Sequence, residues 1–193
     1  MLTLPRQLSE ALRFTPAQFA DLCAANPDAL LELAADGRLI EMTPAGGETG
    51  RRNSLLIFQL ERWARTTQGW CVFDSSTGFL LPDGSVFSPD ASALRLERWQ
   101  ALTPREREGF VPLCPDLVVE LASPSDRLPA LRRKMAAYQA NGAPLGWLLL
   151  PDTRSVEVWR RGRDPELLEG PASLEGAPEL PGLRLDLAEI WAV

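Results

Sequence analysis

From Pro115 to Arg160 the chain alternates between two hydrophobic periods, and this alternation restricts the fold more than any other feature. PDLVVELA is an apolar run of strand length, and Glu120 is its one mid-strand charge. Ser125 or Asp126 can cap a helix from about Arg127 to Ala140, which Asn141-Gly142 closes. Pro129 falls in the first turn of that helix, where a missing N–H does little harm. GWLLLP and SVEVWR then read as a strand pair joined by Asp152-Thr153-Arg154. Strands interleaved with helices in this way imply a sheet with helices packed on it.

The upstream half extends the pattern. Thr15-Pro16 reads as an N-cap followed by proline at the first helical position, leading a short helix from Ala17 to Ala25. LLELAADGRLIEM has two apolar runs around Asp36-Gly37, a hairpin signal, and Glu41 lies near the end of its second strand. After TPAGGETG a long helix is expected from Thr49 or Gly50, with Leu56, Leu60, Trp63 and Ala64 as its buried stripe. Trp70 to Asp74 and Gly78 to Leu81 read as short strands, and VFSPDASAL as a strand interrupted by Pro89. The Arg/Glu-rich stretch from Arg95 to Gly109 reads as a surface helix or excursion. The expected architecture is a single α/β (α+β) domain over 1–193, with a mixed sheet and flanking helices.

Composition narrows the chemistry. There is no histidine, which removes histidine general bases, His-based triads and HExxH zinc sites. Cys23, Cys71 and Cys114 are odd in number and far apart, a pattern of free thiols in a reducing, cytoplasmic setting. Acids, bases and ligands must then come mainly from oxygen groups and lysine, and oxygen ligands suit Mg²⁺ or Mn²⁺. Of the 20 basic residues only Lys134 is a lysine; the rest are arginine. A lone lysine in so arginine-rich a chain marks a place where a compact, titratable ammonium serves and a planar guanidinium does not. The net charge of −6 argues against a protein that coats nucleic acid electrostatically. No apolar run is long enough to span a membrane, and the first residues lack the layout of a signal peptide.

Three residues stand out as candidates. In LVVEL, Leu117, Val119 and Leu121 face one way, and Val118 and Glu120 the other. An ionised carboxylate in such a strand is costly unless it is paired, hydrogen-bonded or bound to metal. Asp90 follows Pro89, a combination equally at home in an ordinary turn. Lys134 lies on the border of the stripe formed by Leu128, Leu131, Met135 and Tyr138, so its stem can run along the core towards the sheet. Arg133 points roughly opposite the stripe, to solvent.

The stretch PDLVVELASPSDRLPALRRKMAAYQANGAPLGWLLLPDTRSVEVWR, with DGRLIEMTPAGGETG and SPDASAL upstream in the same order, strongly resembles the Uma-two family. That family is placed in the PD-(D/E)XK restriction-endonuclease-like superfamily, and the resemblance runs from about Ala29 to Arg160. It implies a central mixed sheet with flanking helices and a metal site on one edge. Asp90 takes the superfamily's aspartate position and Glu120 its acidic (D/E) position. The lysine position two residues after that acid is Ala122 here, and the lysine role falls to Lys134 on the following helix. Glu41 corresponds to an acidic residue close to the site. Relatives often carry histidine after the GGE-type loop, where this chain has Glu48-Thr49; Glu48 is an alternative aid to metal binding.

What the resemblance implies is metal-dependent hydrolysis of phosphodiester bonds in DNA, with Asp90, Glu120 and the Leu121 carbonyl as ligands of Mg²⁺ or Mn²⁺. Glu41 would hold Lys134 or a second metal. Arg51, Arg52, Arg160 and Arg161 are candidates for phosphate contacts. A homodimer is expected by analogy with nucleases that act on duplexes in pairs. The rival reading is an oligomeric interaction module with a decayed site, and a glycosidase-type carboxylate pair is a third.

Overall fold

The computed structural model describes residues 12–193. In chain order the elements are α1 (Pro16–Ala25), β1 (Leu31–Leu33), β2 (Leu39–Glu41), α2 (Gly47–Thr67), β3 (Trp70–Asp74), β4 (Phe79–Leu80), β5 (Val86–Phe87) and β6 (Ala91–Arg95). There follow α3 (Leu96–Gln100), α4 (Pro104–Glu108), β7 (Leu117–Leu121), α5 (Leu128–Ala140), β8 (Leu145–Leu150), β9 (Ser155–Arg160), β10 (Glu166–Glu169), β11 (Ser173–Glu175), β12 (Arg184–Asp186) and α6 (Leu187–Trp191). Packing divides the described chain into two compact units. One takes the chain up to Pro44 with Thr77–Ser88 and Thr103–Cys114; the other takes Ala45–Ser76, Pro89–Leu102 and Pro115–Val193.

In the first unit, Thr15 caps α1 through a reciprocal pair: its Oγ accepts the Gln18 N–H at 3.3 Å and the Gln18 Oε1 accepts the Thr15 N–H at 2.9 Å. The β1–β2 hairpin turns through Gly37 at φ 80°, a conformation glycine adopts without penalty. Its sheet has the order β2-β1-β5-β4, all antiparallel, over a small core of Phe19, Leu33 and Val86. One buried carboxylate belongs to this unit: Glu32 accepts the Ser88 N–H at 2.8 Å.

The second unit is built on a six-stranded sheet of order β10-β9-β8-β7-β6-β3. Only β7 and β8 run parallel, because α5 carries the chain back between them; the other neighbours are antiparallel. Strand alternation decides what each face presents. Leu117, Val119 and Leu121 share a core with Leu56, Leu60, Trp63 and Ala64 of α2, and with Trp147, Leu149 and Val156. Leu185, Leu187 and Ile190, from β12 and α6, join the same cluster. Buried Gln59 ties α2 to β12 as a strand would: its amide donates to the Asp186 carbonyl at 3.0 Å and accepts the Asp186 N–H at 2.6 Å.

On the other face α5 lies close to the sheet over Gly146. A Cβ there would come 2.6 Å from Met135 Cε and 3.1 Å from Val118 Cγ2. Trp147 and Trp159, on adjacent strands, are both buried core residues. Among the described residues no helix is long and apolar enough to cross a membrane.

Three local expectations are corrected. VFSPDASAL is not one interrupted strand. It forms β5 and β6 in two different sheets, because the chain passes from one unit to the other between Ser88 and Pro89. The α2 helix starts two residues early, at Gly47, with Gly46 as its N-cap. Neither Ser125 nor Asp126 caps α5. Arg127 occupies the cap position without a side-chain bond, while the Asp126 carboxylate accepts from the N–H and hydroxyl of Ser123 at 2.8 and 2.6 Å.

The close approach of α5 sets a test. Gly146→Val should lower stability by about 1–3 kcal/mol through overpacking, measured by urea unfolding. Unchanged stability would show that the ends of Met135 and Val118 make room at no cost, so that Gly146 does not limit how closely α5 lies.

Candidate active site

Asp90 immediately precedes β6, and Glu120 is the fourth residue of β7. The β6–β7 register pairs Ala91 with Val119, so one further step sets Asp90 opposite Glu120. There the backbone ladder gives way to a side chain: the Leu121 N–H donates to Asp90 Oδ2 at 2.8 Å. The other oxygen, Oδ1, accepts the side-chain N–H of Asn53, on α2, at 3.1 Å. Burial pushes the Asp90 carboxyl above the usual carboxylate range. The Leu121 N–H, the Lys134 ammonium and the Asn53 amide each pull it back, with less effect than burial.

Glu120 is 3% exposed. Its Oε1 lies 2.8 Å from Lys134 Nζ and accepts the Tyr138 hydroxyl at 3.2 Å. Lys134 and Tyr138 are one helical turn apart on α5, so both reach the same oxygen from the same side. The ammonium is also 5.9 Å from the centre of the Tyr138 ring, the outer range of a cation–π contact. With 13% of the Lys134 side chain exposed and 4% of the Glu120 side chain, this is a largely desolvated pair. Removing one partner of such a pair costs about 3–5 kcal/mol, because the other charge is left buried alone.

Asp90, Glu120, Lys134 and the Leu121 backbone thus come together in one unit. Glu41 belongs to the other unit, where it ends β2 as an exposed residue. Glu48, in the first turn of α2, is exposed and 3.6 Å from Arg52. Arg51 is exposed. Arg52 acts structurally, since its guanidinium donates to the carbonyls of Ile190 and Val193 at 3.2 and 2.5 Å and so holds α6 against α2. Arg161 is exposed, and Arg160 pairs with Glu179.

Several residues of the site escaped sequence reasoning. Asn53 gives no periodic signal, since a polar residue early in a helix reads as solvated. Tyr138 reads as a core aromatic; being the chain's single tyrosine was the one hint that its hydroxyl has a use. Glu157, in SVEVWR, is a second buried carboxylate on the α5 side of the sheet. It lies across Leu148 from Glu120 and accepts from Arg132 Nε at 2.8 Å. Two cationic side chains of α5 therefore dock on two carboxylates of one sheet face.

The donor set is oxygen only, which fits a hard cation. Two carboxylate residues stand opposite each other on adjacent strand ends, with the Leu121 carbonyl beside them. Among the described residues no group of three or more His, Cys, Asp or Glu side chains could hold a metal ion. Two carboxylates with water and substrate oxygens are the usual provision for Mg²⁺, so the residues present fit that ion. The Lys134 ammonium beside Glu120 shows that this carboxylate already holds one positive charge.

The raised Asp90 value fixes a sign. A carboxyl whose folded pKa exceeds its unfolded one adds stability below the unfolded value and loses it as pH rises through the folded value. Without divalent metal, the wild type should lose stability relative to Asp90→Asn as pH climbs from about 4, the ordinary carboxylate value. Unfolding midpoints of both proteins in chelator check this; a difference that does not vary with pH would contradict the upward shift of this buried carboxyl.

Comparison with known proteins agrees with this architecture. A family model described as "Uma2: Putative restriction endonuclease" matches residues 16–188. Among solved structures, the chain is similar to "a putative nuclease belonging to DUF820 from Anabaena variabilis ATCC 29413". The TM-score is 0.76 at 21% identity, over 93% of this chain and 98% of that one, a likeness that establishes the fold. No curated protein matches the chain. With the mixed sheet, the strand-end carboxylates and a family match over nearly its whole length, the chain belongs to the Uma2 family.

Proposed function

We propose that the protein is a metal-dependent endonuclease that hydrolyses phosphodiester bonds in DNA. One observation carries this reading: Asp90, Glu120 and Lys134, from three separate segments, converge at adjacent strand ends. The Uma2 description and the nuclease fold support it. Asp90 and Glu120, with the Leu121 carbonyl, would hold Mg²⁺ or Mn²⁺. When bound, that cation supplies positive charge at the scissile phosphate and eases deprotonation of water beside it.

The chain's own groups do the rest. Asp90 is held by donors on both oxygens, from β7 and from α2. Lys134 presents a compact, desolvated ammonium suited either to orienting the attacking water or to stabilising charge on the phosphoryl oxygens. Tyr138 holds the Glu120 oxygen against which Lys134 rests. Arg51 is the exposed candidate for a phosphate contact on α2, and action on a duplex suits a homodimer.

A second reading is a protein–protein interaction module with a decayed site. The observations that favour it are the Lys134 ammonium already set against Glu120, and the net charge of −6. A stable complex with another protein, without metal binding or cleavage, would establish it.

Plasmid nicking with Mg²⁺ or Mn²⁺ tests the nuclease. Lys134→Ala should slow nicking by about 10²–10³-fold. Lys134→Arg should not restore it, because a planar guanidinium cannot occupy the place of a point charge. Nicking by Lys134→Ala at the wild-type rate would remove Lys134 from the chemistry. Asp90→Asn and Glu120→Gln should each abolish Mn²⁺ binding in calorimetry, and retention by both would refute the carboxylate site.

A further inference from the structure

Asn53 is anomalous in a way that packing does not explain. Its amide N–H donates to Asp90 Oδ1 at 3.1 Å, while its carbonyl oxygen is buried with no hydrogen-bond partner. A carboxylate that meets a cation is ionised and only accepts, so in that state the NH₂ must face Asp90, as it does here, and the carbonyl is left on the other side. An aliphatic side chain of the same size would fill the space without an orphan acceptor. It would also favour the helix slightly, since leucine outranks asparagine in helix propensity. Neither the core nor α2 gains from asparagine here; the gain lies in Asp90.

That gain is orientation. A carboxylate bonded at one oxygen can still turn about its terminal torsion, which has broad wells. The Leu121 N–H holds Oδ2 from the sheet, and Asn53 holds Oδ1 from the helix. Two donors on two oxygens, from two elements, fix the plane. We infer that Asn53 is a positioning residue for Asp90, setting the plane in which this carboxylate meets a divalent cation. The inference rests on the metal-dependent reading above, and Asn53 acts only through Asp90.

The test is Mn²⁺ binding by calorimetry on the full chain, comparing wild type with Asn53→Leu, Asn53→Gln and Asp90→Asn. Asn53→Leu should weaken binding by about 10- to 100-fold, the usual cost of losing a partner that orients a ligand. Its unfolding midpoint should stay within about 4 °C of the wild type. Asn53→Gln, which keeps an amide donor, should recover at least half of the loss on a logarithmic scale. Wild-type affinity in Asn53→Leu, or a loss that glutamine does not relieve, overturns the assignment. Should Asn53→Leu fail to fold, Asn53→Ala takes its place in the same comparison. If Asp90→Asn abolishes binding and Asn53→Leu leaves it intact, only the role of Asn53 is refuted. If the wild type binds no Mn²⁺, the metal-dependent reading falls and the role of Asn53 falls with it.

Discussion

A largely desolvated lysine beside a buried glutamate is an expensive arrangement, and the second unit is organised to sustain it. Two charges withdrawn from water lose several kcal/mol of hydration each, and mutual attraction offsets this only with good geometry and added hydrogen bonds. Here Glu120 Oε1 receives both the Lys134 ammonium and the Tyr138 hydroxyl. The pair depends on α5 lying close to the sheet, and α5 can lie close because Gly146 has no side chain beneath Met135. The Arg132–Glu157 pair fastens the same helix to β9. Hydrophobic pairs of similar volume would commonly be as stable, so stability alone does not account for the charges.

The two faces of the sheet divide the work. On one, α2 closes a continuous apolar core with β12 and α6, and it brings Asn53 to Asp90 near its N-terminal end. On the other, α5 lays a mixed apolar and charged face on Val118, Gly146 and Glu120. Asp90 and Glu120 take opposite positions where the β6–β7 ladder ends. A strand end is the place in a sheet where a backbone N–H can be diverted to a side chain without breaking the pairs behind it, as the Leu121 N–H is diverted to Asp90.

Much of this was legible in the sequence, for identifiable reasons. Glu120 declared itself as the one charge in an apolar run, and Lys134 by being the chain's only lysine, at the edge of a helical stripe. Asp90 was different: an aspartate after proline is ordinary, so its own signal was weak, and the family resemblance gave it a role. VFSPDASAL was misread because local pattern cannot say that Pro89 separates two sheets. The α5 cap was misread because Ser123 competes for the Asp126 carboxylate, a contest among neighbours that position alone does not decide. Asn53 and Tyr138 were missed because hydrophobic periodicity reports where a side chain's bulk goes and is blind to where its polar tip points.

The convergence of Lys134 and Tyr138 on one oxygen has a practical meaning. Each is the sole representative of its amino acid in the chain. An isotope introduced through lysine or through tyrosine therefore labels a single place, and both labels lie at Glu120 Oε1. The native protein carries two spectroscopic reporters trained on the same carboxylate, each giving one signal and neither requiring a substitution.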